Sequence, residues 1–393
     1  MSWDRDVAAI AAQGLPTMLG PVRVPSPSRW RELLLMAEEQ GLTGLLLRAL
    51  DEGRIIPEDG ALEGGHLGEA ADAHLEAMAA TLRLERMLVE AGTLLEADGI
   101  ETRVLKGPAV AYLDNSEPAL RSFRDIDLLV RAEDYDRVVE LLEREQFVRA
   151  FPEPRPGFDR RFGRGVSLAG PGGWSIDLHR TLAFGPFGIR IDVADLWAGS
   201  ERFTVGGHTF SALAREERFL HACYHAALGD RRPRLVPVRD VAQLLLRGRL
   251  DLDHVRTLAR HWSGEPVVAL AVAEAWRVLG ISARHPLTEW AWSYRPSRRA
   301  AAVRSLYRRQ GSGYALISIA AVGALPSVRD RAAYLYALAV PNREYLAGRH
   351  RGVVQRFGHA ARELGTVAVR RDRTGDADRP PPRIHPTDTG ANR

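Results

Sequence analysis

The stretch Asp125-Ile126-Asp127-Leu128-Leu129-Val130 limits the fold more than any other part of the chain. Side chains alternate across a strand, so Asp125 and Asp127 leave one face while Ile126 and Leu128 leave the other. The apolar run from Leu128 to Val130 predicts a strand entering a core, where acids need partners. Two carboxylates a residue apart on one face repel each other unless a cation sits between them. Hard oxygen donors suit Mg²⁺ or Mn²⁺, ions that keep positions open for substrate phosphates. The alternative is an edge strand with two solvated acids.

Upstream stands Lys106, the one lysine of the sequence. A position that keeps lysine in an arginine-biased chain calls for a compact ammonium rather than a planar fork, unless chance preserved it. Gly107 and Pro108 follow, which predicts a strand, a tight turn and a helix start whose N–H groups attract phosphate. A further strand is expected at Gly173-Trp174-Ser175-Ile176-Asp177-Leu178-His179, with Asp177 and His179 on one face. Residues 151 to 165 carry Arg155, Arg160, Arg161 and Arg164 and read as a hairpin loop. Its arginines either clamp triphosphate oxygens or are simply solvated. His221 and His225 share a helix face, a zinc-compatible spacing, but Ala222 stands where a metalloprotease carries Glu and no third ligand is evident. Arg239 and Asp240 head a helix, Asp240 as a cap or as part of a site.

Leu105-Lys106-Gly107, Arg121 and the Asp125–Val130 strand together resemble the nucleotidyltransferase superfamily with a polymerase-beta-like core. More narrowly, they are similar to a bacterial group of uncharacterised nucleotidyltransferases. Better-known members carry Gly-Ser at the turn; this chain has Lys-Gly. The resemblance covers roughly residues 80 to 250 and thinly extends to 346, where Pro341, Tyr345 and Leu346 fit the group's C-terminal segment. It implies an α+β fold, a small mixed sheet flanked by N-terminal helices and a helical C-terminal domain. It also implies transfer of a nucleoside monophosphate from a nucleoside triphosphate to an unidentified acceptor, a small molecule or peptide, such groups occurring in natural-product biosynthesis. Asp125, Asp127 and Asp177 would hold two Mg²⁺ or Mn²⁺ ions and carry the catalysis. Lys106, Gly107, Arg121, His179 and Arg239 would contact the nucleotide. A protein that kept the fold to bind a nucleotide or partner without turnover is the alternative.

Composition adds limits. The chain has 393 residues, a formal charge of +4 and one cysteine, Cys223, which excludes an internal disulfide. No basic block interleaved with aromatics marks a nucleic-acid surface. The longest uncharged apolar run, around Tyr314 to Pro326, is too short to span a membrane, and no signal-peptide pattern opens the chain, so a cytoplasmic protein is expected. The expected organisation is a helical region over 1–98, a nucleotidyltransferase core over 99–212, a helical domain over 213–346 and a tail over 347–393, disordered from about 370. Residues 1 to 27 read as a loosely ordered lead, 187 to 210 as short strands with a hairpin at Gly206-Gly207, and Ser211 as the cap of a helix. Long helices are expected over Leu67 to Ala97, Thr288 to Tyr307 and Tyr314 to Ala339.

Overall fold

The computed structural model describes residues 3–58, 65–229, 234–247, 249–308 and 314–349. The tail expected to be disordered lies outside them, as do three of the four residues of the arginine-rich stretch at 231–234. The nine described strands are β1 (Val22–Val24), β2 (Ile55–Pro57), β3 (Thr102–Val104), β4 (Ile126–Val130), β5 (Val148–Arg149), β6 (Gly165–Ala169), β7 (Ser175–His179), β8 (Ser200–Val205) and β9 (His208–Leu213). Strands β1 and β2 form a small parallel ribbon; the rest make a seven-stranded mixed sheet in the order β5-β6-β7-β4-β3-β9-β8. The chain is thus α+β, with helices before and after the strands of one mixed sheet.

β4 is buried along its whole length because both faces of the sheet are covered. On one side Ile126, Leu128 and Val130 join Val104, Ile176 and Leu178 in a core completed by the His66–Ala97 helix, through Leu84, Leu88, Ala91 and Leu95, and by the Tyr135–Arg144 helix. On the other side Leu105 and Leu129 meet a larger core built from the N-terminal helices and those after Arg215. Asp127 shares its strand face with Leu129, so its carboxylate lies on this second, helical side. A third apolar cluster joins the Phe158–Phe162 helix to the C-terminal helices through Phe158, Phe162, Ala321, Leu325, Tyr334 and Ala337. No described helix is long and apolar enough to cross a membrane.

Several expectations are corrected. The N-terminal lead is ordered: Asp4 accepts hydrogen bonds from the N–H groups of Asp6 and Val7, capping a helix over Arg5–Ala11 that buries Val7, Ala8, Ile10 and Ala11. Residues 186 to 197 hold short helices, Pro186–Ile189 and Asp195–Trp197, rather than strands; the hairpin at Gly206-Gly207 is present between β8 and β9. Ser211 lies inside β9, and the helix begins at Arg215. The two long C-terminal helices are each broken at proline. Pro296 separates Pro286–Ser293 from Arg298–Arg308, and Pro326 separates Tyr314–Val322 from Val328–Ala339. Residues 151 to 165 include a helix, Phe158–Phe162, in place of a simple hairpin.

β6 approaches β7 closely at Gly165, which pairs with His179. A Cβ there would collide with the Leu178 carbonyl group. Backbone cannot yield as a flexible side chain can, so Gly165→Ala is expected to destabilise the chain by about 1–3 kcal/mol. Urea unfolding measures this; an unchanged midpoint refutes the close approach.

Candidate active site

The parallel pairing of β4 and β7 sets Asp127 opposite Asp177 and Leu129 opposite His179. One ligand atom each from Asp127, Asp177 and His179 lies within 4.8 Å of the others. Asp127 is fully buried. Its Oδ1 accepts a hydrogen bond from His179 Nε2 at 2.8 Å and lies 3.1 Å from Lys106 Nζ, while its Oδ2 is buried without a hydrogen-bond partner. Asp177 accepts a hydrogen bond from Ser167 Oγ on the neighbouring strand and sits 3.5 Å from Arg164. Asp125 lies just before β4, half-buried at the rim, 3.6 Å from Lys106.

Burial works to raise the Asp127 pKa, yet the Lys106 charge and the His179 hydrogen bond hold the carboxyl well below the usual carboxylate range. Burial likewise disfavours the Lys106 ammonium, but Asp127 and Asp125 raise its pKa. Asp125 moves the other way, raised by burial and by the Asp127 charge.

Local structure explains why Lys106 reaches both acids. Leu105 extends β3 by one hydrogen bond to the Asp127 carbonyl, 3.0 Å long. Gly107 then bends the chain with φ 54°, a conformation that glycine adopts freely, and Pro108 opens the helix Pro108–Asp114. Arg121 braces this bend from behind. It donates to Asp240 through Nε and Nη2 at 2.9 and 2.6 Å and to the Gly107 carbonyl at 3.4 Å.

Arg121 was expected at the nucleotide; its guanidinium is instead buried and committed to Asp240. Arg239 is also turned inward, donating to the carbonyls of Ala11 and Gln13 at 2.5 and 2.8 Å. Neither is among the described residues that line the cleft above the acids, a cavity of about 510 Å³. Of the four arginines in residues 151 to 165, only Arg164 turns to the acids. Arg155 donates to the Val340 carbonyl, Arg160 pairs with Asp136 and Arg161 with Asp330.

The cleft also contains residues outside the expected nucleotide site. Ser167 had no signal of its own, since its role depends on pairing with Asp177. His221 and His225 line the cleft with their rings 6.5 Å apart. Among the described residues neither belongs to a cluster of three metal-ligating side chains, so the zinc reading lacks its third ligand. His225 begins a π-helical turn, His225–Gly229, that continues the Arg215–Tyr224 helix, an irregularity frequent at functional sites. Burial lowers the His221 pKa to about 3, with His179 adding to the shift. Burial also holds His225 well below its ordinary value.

Two outcomes are expected. Arg121→Ala leaves Asp240 buried without its partner and should cost about 3–5 kcal/mol in urea unfolding; a loss near zero refutes the brace. Between pH 6.5 and about 3 the unfolded chain protonates His221 while the folded chain does not, so the unfolded state binds more protons and stability falls on acidification. His221→Leu should flatten this dependence by up to about 1.4 kcal/mol per pH unit. Parallel stability curves for the two proteins would refute a neutral, buried imidazole.

Residues 26–280 match the sequence profile of a family described as uncharacterised nucleotidyltransferase. The crystal structure of an antigenic nucleotidyltransferase-like protein from Paracoccidioides brasiliensis is similar over 48% of this chain and 91% of that one, at 16% identity and a TM-score of 0.29. No curated protein matches the chain. The profile spans more than half of the sequence and contains Lys106, Asp125, Asp127, Asp177 and His179, and the chain belongs to this uncharacterised nucleotidyltransferase family.

Proposed function

We propose that the protein transfers a nucleoside monophosphate from a nucleoside triphosphate to a hydroxyl of a small-molecule or peptide acceptor. The observation that carries this reading is the register of β4 on β7, which brings Asp127, Asp177 and His179 together beside Lys106, with Lys106, Asp177 and His179 lining the cleft and Asp127 fully buried next to them. In the reaction the acceptor oxygen bonds to the α-phosphorus and the bond from that phosphorus to the bridging oxygen breaks. Pyrophosphate leaves with the electron pair. Asp177, which lines the cleft, receives the hydroxyl proton. Lys106 and Arg164 bring positive charge to the phosphates, Lys106 as a point charge rather than a fork.

The donors suit a divalent cation. Asp127 keeps one buried oxygen without a hydrogen-bond partner, and such an atom needs a proton donor or a metal. Asp125, Asp127 and Asp177 are the hard oxygen ligands that would hold Mg²⁺ or Mn²⁺, while His179 keeps its hydrogen bond to Asp127. When bound, such ions lower the pKa of an attacking hydroxyl and neutralise a departing pyrophosphate.

One observation favours a second reading, a nucleotide- or partner-binding protein without turnover. The Lys106 ammonium already lies between Asp125 and Asp127 and supplies the cation their repulsion requires. Pyrophosphate release separates the two. The wild type incubated with ATP, GTP, CTP or UTP, Mn²⁺ and an acceptor-containing extract should release pyrophosphate and label a product. Asp127→Asn, or excess chelator, should lower that rate by at least 100-fold while circular dichroism stays unchanged. Full turnover by Asp127→Asn sinks the proposal; nucleotide binding without any release supports the second reading.

A further inference from the structure

The cleft has two chemically different ends. Lys106, Asp125, Arg164, Asp177 and His179 make the charged end. The other is walled by Phe158, Leu182, Tyr307, Ile317, Tyr334 and Leu338, of which all but Leu338 are buried. The family profile ends at residue 280, so it covers every group of the charged end. Tyr307, Ile317, Tyr334 and Leu338 lie beyond it. The apolar wall is therefore largely the contribution of the C-terminal helices.

The hydroxyls of two tyrosines on this wall are already used. Tyr307 donates to the Phe184 carbonyl at 2.6 Å, and Tyr334 is hydrogen-bonded to Ser318. Tyr224 also lines the cleft, and its buried hydroxyl has no hydrogen-bond partner among the described residues. A group entering against these side chains meets mostly carbon and ring faces. A nucleobase buried against them would find the Tyr224 hydroxyl for one polar group and leave its other ring nitrogens and exocyclic groups short of partners, each carrying its desolvation penalty. An aromatic or aliphatic group carries no such penalty and gains from leaving water.

The wall is also a roof. Arg161 pairs with Asp330 at 2.6 Å, Arg155 donates to the Val340 carbonyl at 2.6 Å, and the Asn342 N–H donates to the Pro154 carbonyl at 2.8 Å. These bonds join residues 151–165 to the C-terminal helices across the cleft, so a polymer could pass beneath only by breaking them. A cavity of about 510 Å³ is of the size small molecules fill.

We propose that the acceptor is an aromatic small molecule bearing one reactive hydroxyl, its ring held by Tyr307, Ile317, Tyr334 and Leu338 and its oxygen directed to the Asp177 end. This rests on the nucleotidyl-transfer reading. The acceptor O–H loses its proton to Asp177, its oxygen bonds to the α-phosphorus, and pyrophosphate departs, so no further reactant is required.

The test uses the full chain and 2-naphthol, a flat ring system with one hydroxyl, titrated by fluorescence. ATP, GTP, CTP and UTP, each with Mn²⁺, are titrated in parallel by calorimetry. The wild type should bind 2-naphthol and at least one nucleotide. Leu338→Trp fills the apolar end and should weaken 2-naphthol at least tenfold while nucleotide affinity stays within threefold. Ile317→Ala enlarges the same end without a clash and should shift 2-naphthol affinity at least threefold, which keeps the test open if Leu338→Trp fails to fold. Absence of 2-naphthol binding by the wild type overturns the proposal. So does a loss of nucleotide affinity in Leu338→Trp, since the nucleoside would then occupy this end. If 2-naphthol binds and responds to both variants but no nucleotide binds, the transfer reading and the acceptor role both fall, and an apolar ligand site remains.

Discussion

The charge on Asp127 is the constraint to which the rest of the site answers. A carboxylate with no exposure, in a strand buried along its whole length, cannot be held without counter-charge and hydrogen bonds. Lys106 supplies the charge from the end of β3, and His179 supplies the hydrogen bond from β7. Each is delivered by a different piece of backbone, so the sheet order and the bend at Gly107 must both be right before the acid can stay ionised. Arg121 and Asp240 extend the arrangement outward, tying the Gly107 carbonyl to the helix Leu235–Arg247. Sheet, bend and helical half of the molecule therefore meet around one ionised group.

Much of this was legible in the chain, and the limits have physical causes. Alternation within Asp125–Val130 and Ser175–His179 is a local property, and both strands form where the pattern puts them. That Asp127 faces Asp177 is a matter of register between strands about fifty residues apart, which alternation alone does not fix; a resemblance had to suggest it. Arg121 shows the same limit more sharply. Its partner Asp240 lies 119 residues away, so an arginine near a phosphate-like turn looked like a ligand contact when it is a buried brace. Alternation puts His179 on the face of Asp177, but only the fold shows its ring on Asp127.

The helical parts differed for local reasons. In the N-terminal segment the loop signal of Gly14, Pro16, Gly20, Pro21 and Pro25 stands beside Val7, Ala8, Ile10 and Ala11, which bury one helix face under the Asp4 cap. Helical periodicity on both sides of Pro296 and Pro326 suggested continuous helices, and the prolines broke them. Those breaks let short helices fold back over the cleft. The apolar wall of the cavity depends on that return, and no short-range pattern in the sequence announces it.

Because Lys106 is the sequence's one lysine, amine chemistry has a single side chain to find, and that side chain is paired with two acids at the charged end of the cleft. An acylating or formaldehyde-based reagent would thus mark the centre of the molecule and little else besides the amino terminus. Isotopic methylation of that one nitrogen would give a spectroscopic reporter whose environment changes whenever something enters beside Asp125 and Asp127.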